Sequence, residues 1–436
     1  MSGAIRNQKN ILAKLKIESL NKMQEEAHAA IHSNSSTVLL SPTGTGKTLA
    51  FLLPVVAQLN PKCTNIQALI LVPSRELAIQ IEQVIREMGS GYKANAFYGG
   101  RGFTKDRIDL NHPPAILIGT PGRIADHLRR DTFVTDNIST IVLDEFDKSL
   151  EVGFEADMRD IIDNLPNLSK RILTSATEKV QIPEFVGINN PAYVDYLDHQ
   201  TSQLSIKTVV SPDKDKLQTL LNIICFKGDK PGIVFCNFRD TIQQVSDFLN
   251  EHGIAHGCFY GTMEQQDRER ALIKFRNSSH QLLLSTDLAA RGIDVPELDF
   301  IIHYELPPKE HEFTHRNGRT ARMNSQGTAY IIKWEKESLP PFLANYPEEY
   351  IHQADVPYGS LWSTLFISGG RKDKISKGDI AGILYKQGNL TNDQIGVIEL
   401  KTDCAFVAVH STEIDRLVKT LNNVRLKNKK VRVYQI

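Results

Sequence analysis

The sequence predicts an α/β chain: two tandem parallel-sheet domains followed by a small α/β sandwich. Three observations predict it. Short apolar runs alternate with amphipathic segments through the first 330 residues. The order of those runs restarts partway along that stretch. Residues 363–436 then carry a separate strand–helix–strand–helix pattern.

The first series of runs is 37–40, 68–72, 115–118, 140–143 and 171–173. Each is short and closes on Pro, Gly, Ser, Thr or Asp. Buried strands alternating with helices are the mark of βαβ units and a mainly parallel sheet. Ligands of such sheets bind beyond the C-terminal ends of the strands, so the residues just after each run are where chemistry is expected. The second series is 232–235, 281–284, 300–303 and 328–332, and it echoes the first. The run before Pro73-Ser74-Arg75-Glu76 resembles the run before Cys236-Asn237-Phe238-Arg239. The predicted boundaries are 1–200 for the first domain, 201–336 for the second, 337–362 for a connector and 363–436 for the tail domain. Four prolines fall within 335–362 with no clear period, as suits a connector. In the tail domain, 364–367 and 405–409 read as strands, and 377–386 and 412–421 as helices.

Composition excludes several classes. The chain has 436 residues, of which 41% are hydrophobic and 23% charged, enough for several cores in a soluble globular protein. No apolar run approaches the ~18–20 residues of a membrane span. The first 16 residues are polar, without the apolar centre of a signal peptide. The five cysteines are scattered with no CxxC pair, which fits a reducing, cytoplasmic setting and argues against disulfides or structural zinc. Net charge is zero, but it is polarised. Residues 363–436 hold 13 Lys and Arg against 7 Asp and Glu, while the rest of the chain holds 38 against 44. A basic tail points either to a polyanionic partner or to a solvated basic surface.

The strand at 37–40 leads into Ser41-Pro42-Thr43-Gly44-Thr45-Gly46-Lys47-Thr48 and then an apolar helix-like run. Strand, glycine-rich loop and helix in that order form a phosphate cradle. The loop's backbone N–H groups turn onto the phosphates, Lys47 supplies a point charge, and the Thr48 hydroxyl can hold Mg²⁺. Thr43, Gly44, Thr45 and Gly46 complete the predicted ATP-binding loop. The run 140–143 ends at Asp144-Glu145-Phe146-Asp147. A carboxylate at a strand tip is what a phosphate-bound Mg²⁺ needs, and the next can orient attacking water. Asp144 is therefore assigned to Mg²⁺, through water, and Glu145 to general base.

These motifs, in this order, resemble the DEAD-box RNA helicases over essentially the whole chain. Pro73-Ser74-Arg75-Glu76-Leu77-Ala78, Tyr98-Gly99-Gly100 and Thr120-Pro121-Gly122-Arg123 look like the family's PTRELA, GG and TPGR motifs. Ser175-Ala176-Thr177 is similar to its SAT, and Gln265 with Arg268 to its QxxR. The stretch from Ser285-Thr286-Asp287 to Gly292-Ile293-Asp294 fits TDxAARGxD, and His315-Arg316-Asn317-Gly318-Arg319-Thr320-Ala321-Arg322 fits HRxGRxxR.

The resemblance implies two RecA-like domains that close on ATP and RNA together, and local opening of short duplexes without long translocation. It implies RNA contacts at Arg75, Gly100, Thr120, Arg123, Gln265, Arg268 and Thr286. Coupling of ATP state to unwinding would run through Ser175, Thr177, Asp147 and His315. Gln24 would read adenine, and Gly292 and Asp294 would hold the nucleotide. Arg319 and Arg322, three apart on one helical face, would reach the γ-phosphate, with Arg319 as arginine finger.

Four departures from the family pattern stand out. Phe146 stands where the box has Ala, so extra bulk must be packed. Asn317 replaces an apolar residue, and Tyr260 a frequent His. Around Gln24, Lys16-Ile17 and Leu20 replace the expected Gly-Phe and Pro, and no aromatic precedes Phe51. Weaker adenine stacking is expected from that.

Residues 363–436 resemble the RNA-binding domain of the DbpA helicases, a variant of the RRM fold. Leu365-Phe366-Ile367 and Ala405-Phe406-Val407 fit its strand signatures. Phe366 and Phe406 either stack bases or lie in the core. Arg371, Lys372, Lys427 and Lys430 belong to two basic clusters suited to phosphate contacts. The likeness implies a hairpin of large-subunit ribosomal RNA as target, a role in ribosome assembly on pre-ribosomal particles, and a monomer.

Overall fold

The computed structural model describes residues 8–42, 44–177, 181–197, 203–287, 295, 298–320 and 326–436. It divides into two compact units that part between Ser202 and Gln203.

The first unit is built on a seven-stranded parallel sheet. Its strands are β1 (Ser36–Leu40), β2 (Ala68–Leu71), β3 (Ala94–Phe97), β4 (Ile116–Gly119), β5 (Thr140–Leu143), β6 (Lys170–Ser175) and β7 (Ala192–Asp195). Their order is β3-β4-β2-β5-β6-β1-β7. The central strands are buried along their whole length, so they read as unbroken apolar runs. Helices cover both faces. One core gathers Phe51, Ile81 and Ile118, and the other gathers Leu71, Leu117 and Leu143.

The second unit begins with a six-stranded parallel sheet of β8 (Gln203–Ser211), β9 (Gly232–Phe235), β10 (His256–Phe259), β11 (Leu282–Ser285), β12 (Phe300–His303) and β13 (Gln326–Trp334). Their order is β10-β11-β9-β12-β13-β8. The connector packs on this sheet. Leu343 is buried with Phe313 and Ile331, and Glu348 bridges to Thr208 of the edge strand.

The tail domain is a four-stranded antiparallel sheet. Its strands are β14 (Trp362–Ile367), β15 (Ile395–Leu400), β16 (Ala405–His410) and β19 (Val433–Gln435), in the order β15-β16-β14-β19. Between them lies a short hairpin of β17 (Arg425–Leu426) and β18 (Lys429–Lys430). Helices Lys377–Lys386 and Ile414–Leu421 cover the Leu365, Ile367 and Val407 face. The expected start of the second helix at 412 falls in a 3₁₀ turn, Ser411–Glu413.

The other face docks on the end of helix Gln265–Arg276. The Thr364 hydroxyl meets Asn277 Nδ2 at 2.9 Å and Ser279 Oγ at 2.7 Å, all buried. Around them Arg276 pairs with Glu399 at 2.7 Å, and Lys401 pairs with Glu269 at 2.7 Å. Burial works against the Glu399 charge, but Arg276 and Lys401 outweigh it and hold the carboxyl below the usual range.

Candidate functional site

The loop after β1 turns sharply into helix Lys47–Gln58. Gly46 has φ +88, and a Cβ there would lie 2.4 Å from Gln24 Nε2. Both the left-handed backbone and the close approach require glycine. Ser41 Oγ meets Thr45 Oγ1 at 2.7 Å, and Thr45 donates to the Pro42 carbonyl at 2.9 Å. Lys47 Nζ donates to the carbonyls of Ser41 and Pro42, the latter at 2.9 Å. Thr48 follows, half-buried, on the helix's first turn.

Gln24 is buried and bound at both ends of its amide. Its Oε1 accepts the Asn21 N–H at 3.0 Å, in a capping box for helix Lys22–Ser33. Its Nε2 donates to the Gly46 carbonyl at 3.2 Å. Asn21 Nδ2 donates to the Thr45 carbonyl at 3.1 Å. Helix Lys22–Ser33 and its cap are thus hydrogen-bonded to the phosphate loop.

Asp144 and Glu145 sit at the tip of β5, two strands from β1. Between them lies β6, which contributes Thr174. The Thr174 hydroxyl donates to Asp144 Oδ1, and the Glu145 N–H reaches Thr174 Oγ1 at 3.1 Å. Burial pushes the Asp144 carboxyl above the usual carboxylate range, opposed by the Thr174 bond and the nearby Lys47 charge. Glu145 has φ +46, rare for a residue with a side chain. Such a conformation costs about 1–3 kcal/mol and collects at functional sites.

Phe146 is 1% exposed and fills the core beside Leu143, Met158 and Val186. The extra bulk is absorbed as packing. Next to it, Asp147 Oδ2 accepts the Thr177 hydroxyl at 3.2 Å, and the Ser175 hydroxyl closes a turn with the Thr177 N–H and carbonyl at 3.0 Å each. The predicted coupling residues Asp147, Ser175 and Thr177 are therefore joined directly.

In the second unit, His315 lies half-buried near the end of helix Glu310–Asn317. Arg316 is buried and grips Asp287 at 2.5 and 2.7 Å, with a further bond to Asn237 Oδ1 at 2.7 Å. Asn317, the atypical residue, accepts from His303 Nε2 at 3.0 Å. Burial first, and then the Arg316 charge, lower the His303 pKa to about 3, so the ring is neutral. The expectation that Arg319 lies on a helical face is corrected. The helix stops at Asn317, Gly318 turns back onto the Thr314 carbonyl, and Arg319 falls in the next turn, buried. Thr43, Gly292, Asp294 and Arg322 lie outside the described residues.

The residues expected along an RNA path are placed as follows. Arg75 opens helix Arg75–Met88, and a Cβ on Gly100, whose φ is +89, would lie 3.1 Å from Arg75 Nη1. Thr120 stands at the N-cap position of helix Pro121–Arg129, with no side-chain bond to it. Arg123 turns inward to Asp106. Gln265 begins helix Gln265–Arg276, and Arg268 lies 4.7 Å over the Phe259 ring with a bond to the Gly261 carbonyl at 3.3 Å. The Thr286 N–H reaches the Phe259 carbonyl at 3.4 Å.

In the tail domain Phe406 is buried, edge-on to Phe366 at 5.5 Å. Phe366 stacks at 4.6 Å on Tyr434, which is 40% exposed. The open ring of this row is thus Tyr434, which the signature strands did not single out. Arg371, Lys372 and Lys430 are exposed. Lys427 pairs with Asp379 and Lys429 with Asp373, each at 2.7 Å, tying the two basic segments into one surface. Thr174 and Asp106 were also missed, since a lone Thr in a strand and a lone Asp in a helix carry no motif.

Among the described residues no group of three or more His, Cys, Asp or Glu could hold a metal unaided. One buried carboxylate, Asp144, and the hydroxyl of Thr48 on the first turn of the helix suit an ion carried by phosphates and water, as Mg²⁺ is. No helix among the described residues is long and apolar enough to cross a membrane.

Comparison with known proteins agrees. The DEAD/DEAH box helicase family matches residues 21–185, the helicase conserved C-terminal domain matches 215–324, and the DbpA RNA binding domain matches 364–435. The ATP-dependent RNA helicase DbpA of Escherichia coli (strain K12) is 30% identical over 97% of this chain and 98% of its own length. That of Bacillus subtilis (strain 168) is 28% identical over 94% of each. Among solved structures, S. cerevisiae Dbp5 bound to RNA and ADP BeF3 matches with TM-score 0.67 and 26% identity, over 77% of this chain and 88% of that one. Mss116p bound to ssRNA and AMP-PNP matches with TM-score 0.68 and 25% identity, over 76% and 73%. From its phosphate loop to its tail domain, the chain belongs to the DEAD-box helicases of the DbpA type.

Proposed function

We propose that this chain hydrolyses ATP in response to RNA and uses the cycle to open short RNA duplexes locally. The observation that carries the reading is the cluster of Lys47, Asp144 and Glu145 at the ends of β1 and β5, with Thr177 bonded to Asp147 beside it. Lys47 balances phosphate charge and Glu145 takes the proton of the attacking water. Asp144 and Thr48 would hold Mg²⁺, which neutralises charge on the phosphates when bound. Gln24 reads adenine, Thr43 lines the loop, Gly292 and Asp294 hold the nucleotide, and Arg319 and Arg322 stabilise the transferring phosphoryl group. His315 relays nucleotide state. ATP and RNA each raise affinity for the other.

The likeness of residues 364–435 to the DbpA RNA binding domain supports a structured RNA as the partner. We take that RNA to be a hairpin of large-subunit ribosomal RNA, met on pre-ribosomal particles in the cytoplasm by a monomer.

ATPase assays with the full chain test this. A large-subunit ribosomal hairpin is expected to stimulate turnover far more than random RNA of equal length, and Lys47→Ala and Glu145→Gln are each expected to abolish it. Equal stimulation by both RNAs would remove the ribosomal reading. Turnover surviving either substitution would remove the site. RNA binding without duplex opening would leave a clamp.

A further inference from the structure

Asp106 is a fully buried carboxylate in helix Phe103–Leu110, outside every motif named above. Three cationic or polar groups converge on it. Arg123 reaches Oδ2 with Nε at 2.9 Å and Nη2 at 2.8 Å. Arg101 Nε lies 3.1 Å from Oδ1, and His127 Nε2 lies 3.1 Å from Oδ2. The guanidinium of Arg123 also donates to the Arg101 carbonyl at 2.9 Å. Phe103 closes the cluster, stacked on His127 at 4.4 Å with Arg123 4.8 Å over its ring.

Two consequences follow. Arg101 succeeds Gly100, and Arg123 ends the Thr120–Arg123 turn, so one carboxylate ties together the two loops assigned to RNA in the first unit. The Arg123 side chain is also only 13% exposed, and its remaining nitrogen, Nη1, faces Asp126 at 4.0 Å. Its Nε and Nη2 donors are committed inside the protein. A guanidinium so placed fixes loop geometry better than it meets a phosphate.

We propose that Asp106 is a positioning residue for RNA. Together with Arg101, Arg123 and His127 it forms a buried charge node that locks the Gly99–Gly100 loop to the Thr120–Arg123 turn, and Arg123 acts on RNA as part of this node. The proposal rests on the RNA reading above. A misplacement of binding groups by about 1 Å can cost up to ~10²-fold. Removing the node's charge is therefore expected to weaken RNA engagement without touching the nucleotide site.

The test is RNA-stimulated ATPase of the full chain, with Asp106→Asn, Arg123→Gln and the double variant. Asp106→Asn is expected to raise the half-saturating RNA concentration about tenfold, leaving RNA-independent turnover and the rate at saturating RNA unchanged. The double variant is expected to be no worse than the weaker single one, because both break the same node. Asp106→Glu keeps the charge but displaces it by one methylene. Its RNA-independent turnover reports that it is folded, and about a threefold rise is expected from it. An unchanged half-saturating RNA concentration in both Asp106 variants overturns the proposal, as do losses that add in the double variant. A parent chain that RNA does not stimulate would instead overturn the RNA reading itself.

Discussion

The hydroxyl of Thr177 donates to the Asp147 carboxylate across 3.2 Å, bridging the tip of β6 to the helix that follows β5. Glu145 lies two residues before Asp147, so a change at the reacting end of the nucleotide site has a short path to this bond. A hydrogen bond to a charged group is worth about 1.5–3 kcal/mol. Thr177→Val, which keeps shape and removes the donor, is expected to cut duplex opening at least about tenfold. RNA-stimulated ATP turnover should stay within about threefold. Comparing strand-displacement and phosphate-release assays on one preparation checks this.

Phe146 carries no chemistry yet lies in the core. Its replacement by Ala, the family's usual residue, leaves a cavity, and such changes cost about 3–5 kcal/mol. Denaturant unfolding of Phe146→Ala should show that loss in the first unit. A near-neutral result would mean that the surrounding side chains collapse into the space.

Asp144 binds its proton more tightly in the folded chain than in the unfolded one, because burial outweighs the Thr174 bond and the Lys47 charge. Its stabilising contribution is therefore full below the ordinary aspartate value of 3.8 and is lost as pH rises through the folded value. Asn carries no such loss. Asp144→Asn is expected to abolish ATP turnover and yet to melt above the parent at neutral pH. Melting curves against pH should show that gap closing as the pH is lowered toward 4.

Asn317 is the partner of a buried neutral imidazole. Asn317→Ala strands the His303 N–H, at a cost of about 1–3 kcal/mol. The His303 pKa is depressed from 6.5 to about 3, so its contribution is present above 6.5 and is lost as pH falls toward 3. Thermal melts from pH 8 to 5 should show the parent weakening along that direction, and Asn317→Ala lowered throughout.

The strands legible in the sequence were the interior ones. Apart from the two-residue strands β17 and β18, the described strands that formed no readable run lie at the two edges of their sheets: β3 and β7, β8 and β10, β15 and β19. An interior strand is covered on both sides and must be apolar throughout, whereas an edge strand such as Ala192–Asp195 buries only part of its length. The phosphate loop and the carboxylates at the tip of β5 were legible because phosphate chemistry demands fixed residue types at fixed spacing. Asp106, Thr174 and Tyr434 were not. Each owes its place to a neighbour distant in sequence: Arg123, Asp144 and Phe366 respectively. The end of helix Glu310–Asn317 was misjudged because the arginine spacing suits a helix, whereas Gly318 ends it.

The buried Thr364 hydroxyl, shared by Asn277 and Ser279, changes how many parts the molecule has when it is heated. Three domains, each with a main sheet of its own, suggest three melting events. Pulling the tail domain away would strand those polar groups and break the Arg276–Glu399 pair, so the last two sheets gain by melting together. Calorimetry of the intact chain should resolve two heat-absorption peaks, the larger covering the second unit. Cooperativity would then join what the sequence divides at its proline-rich connector, and a weakness anywhere in that seam would be felt across more than half the chain.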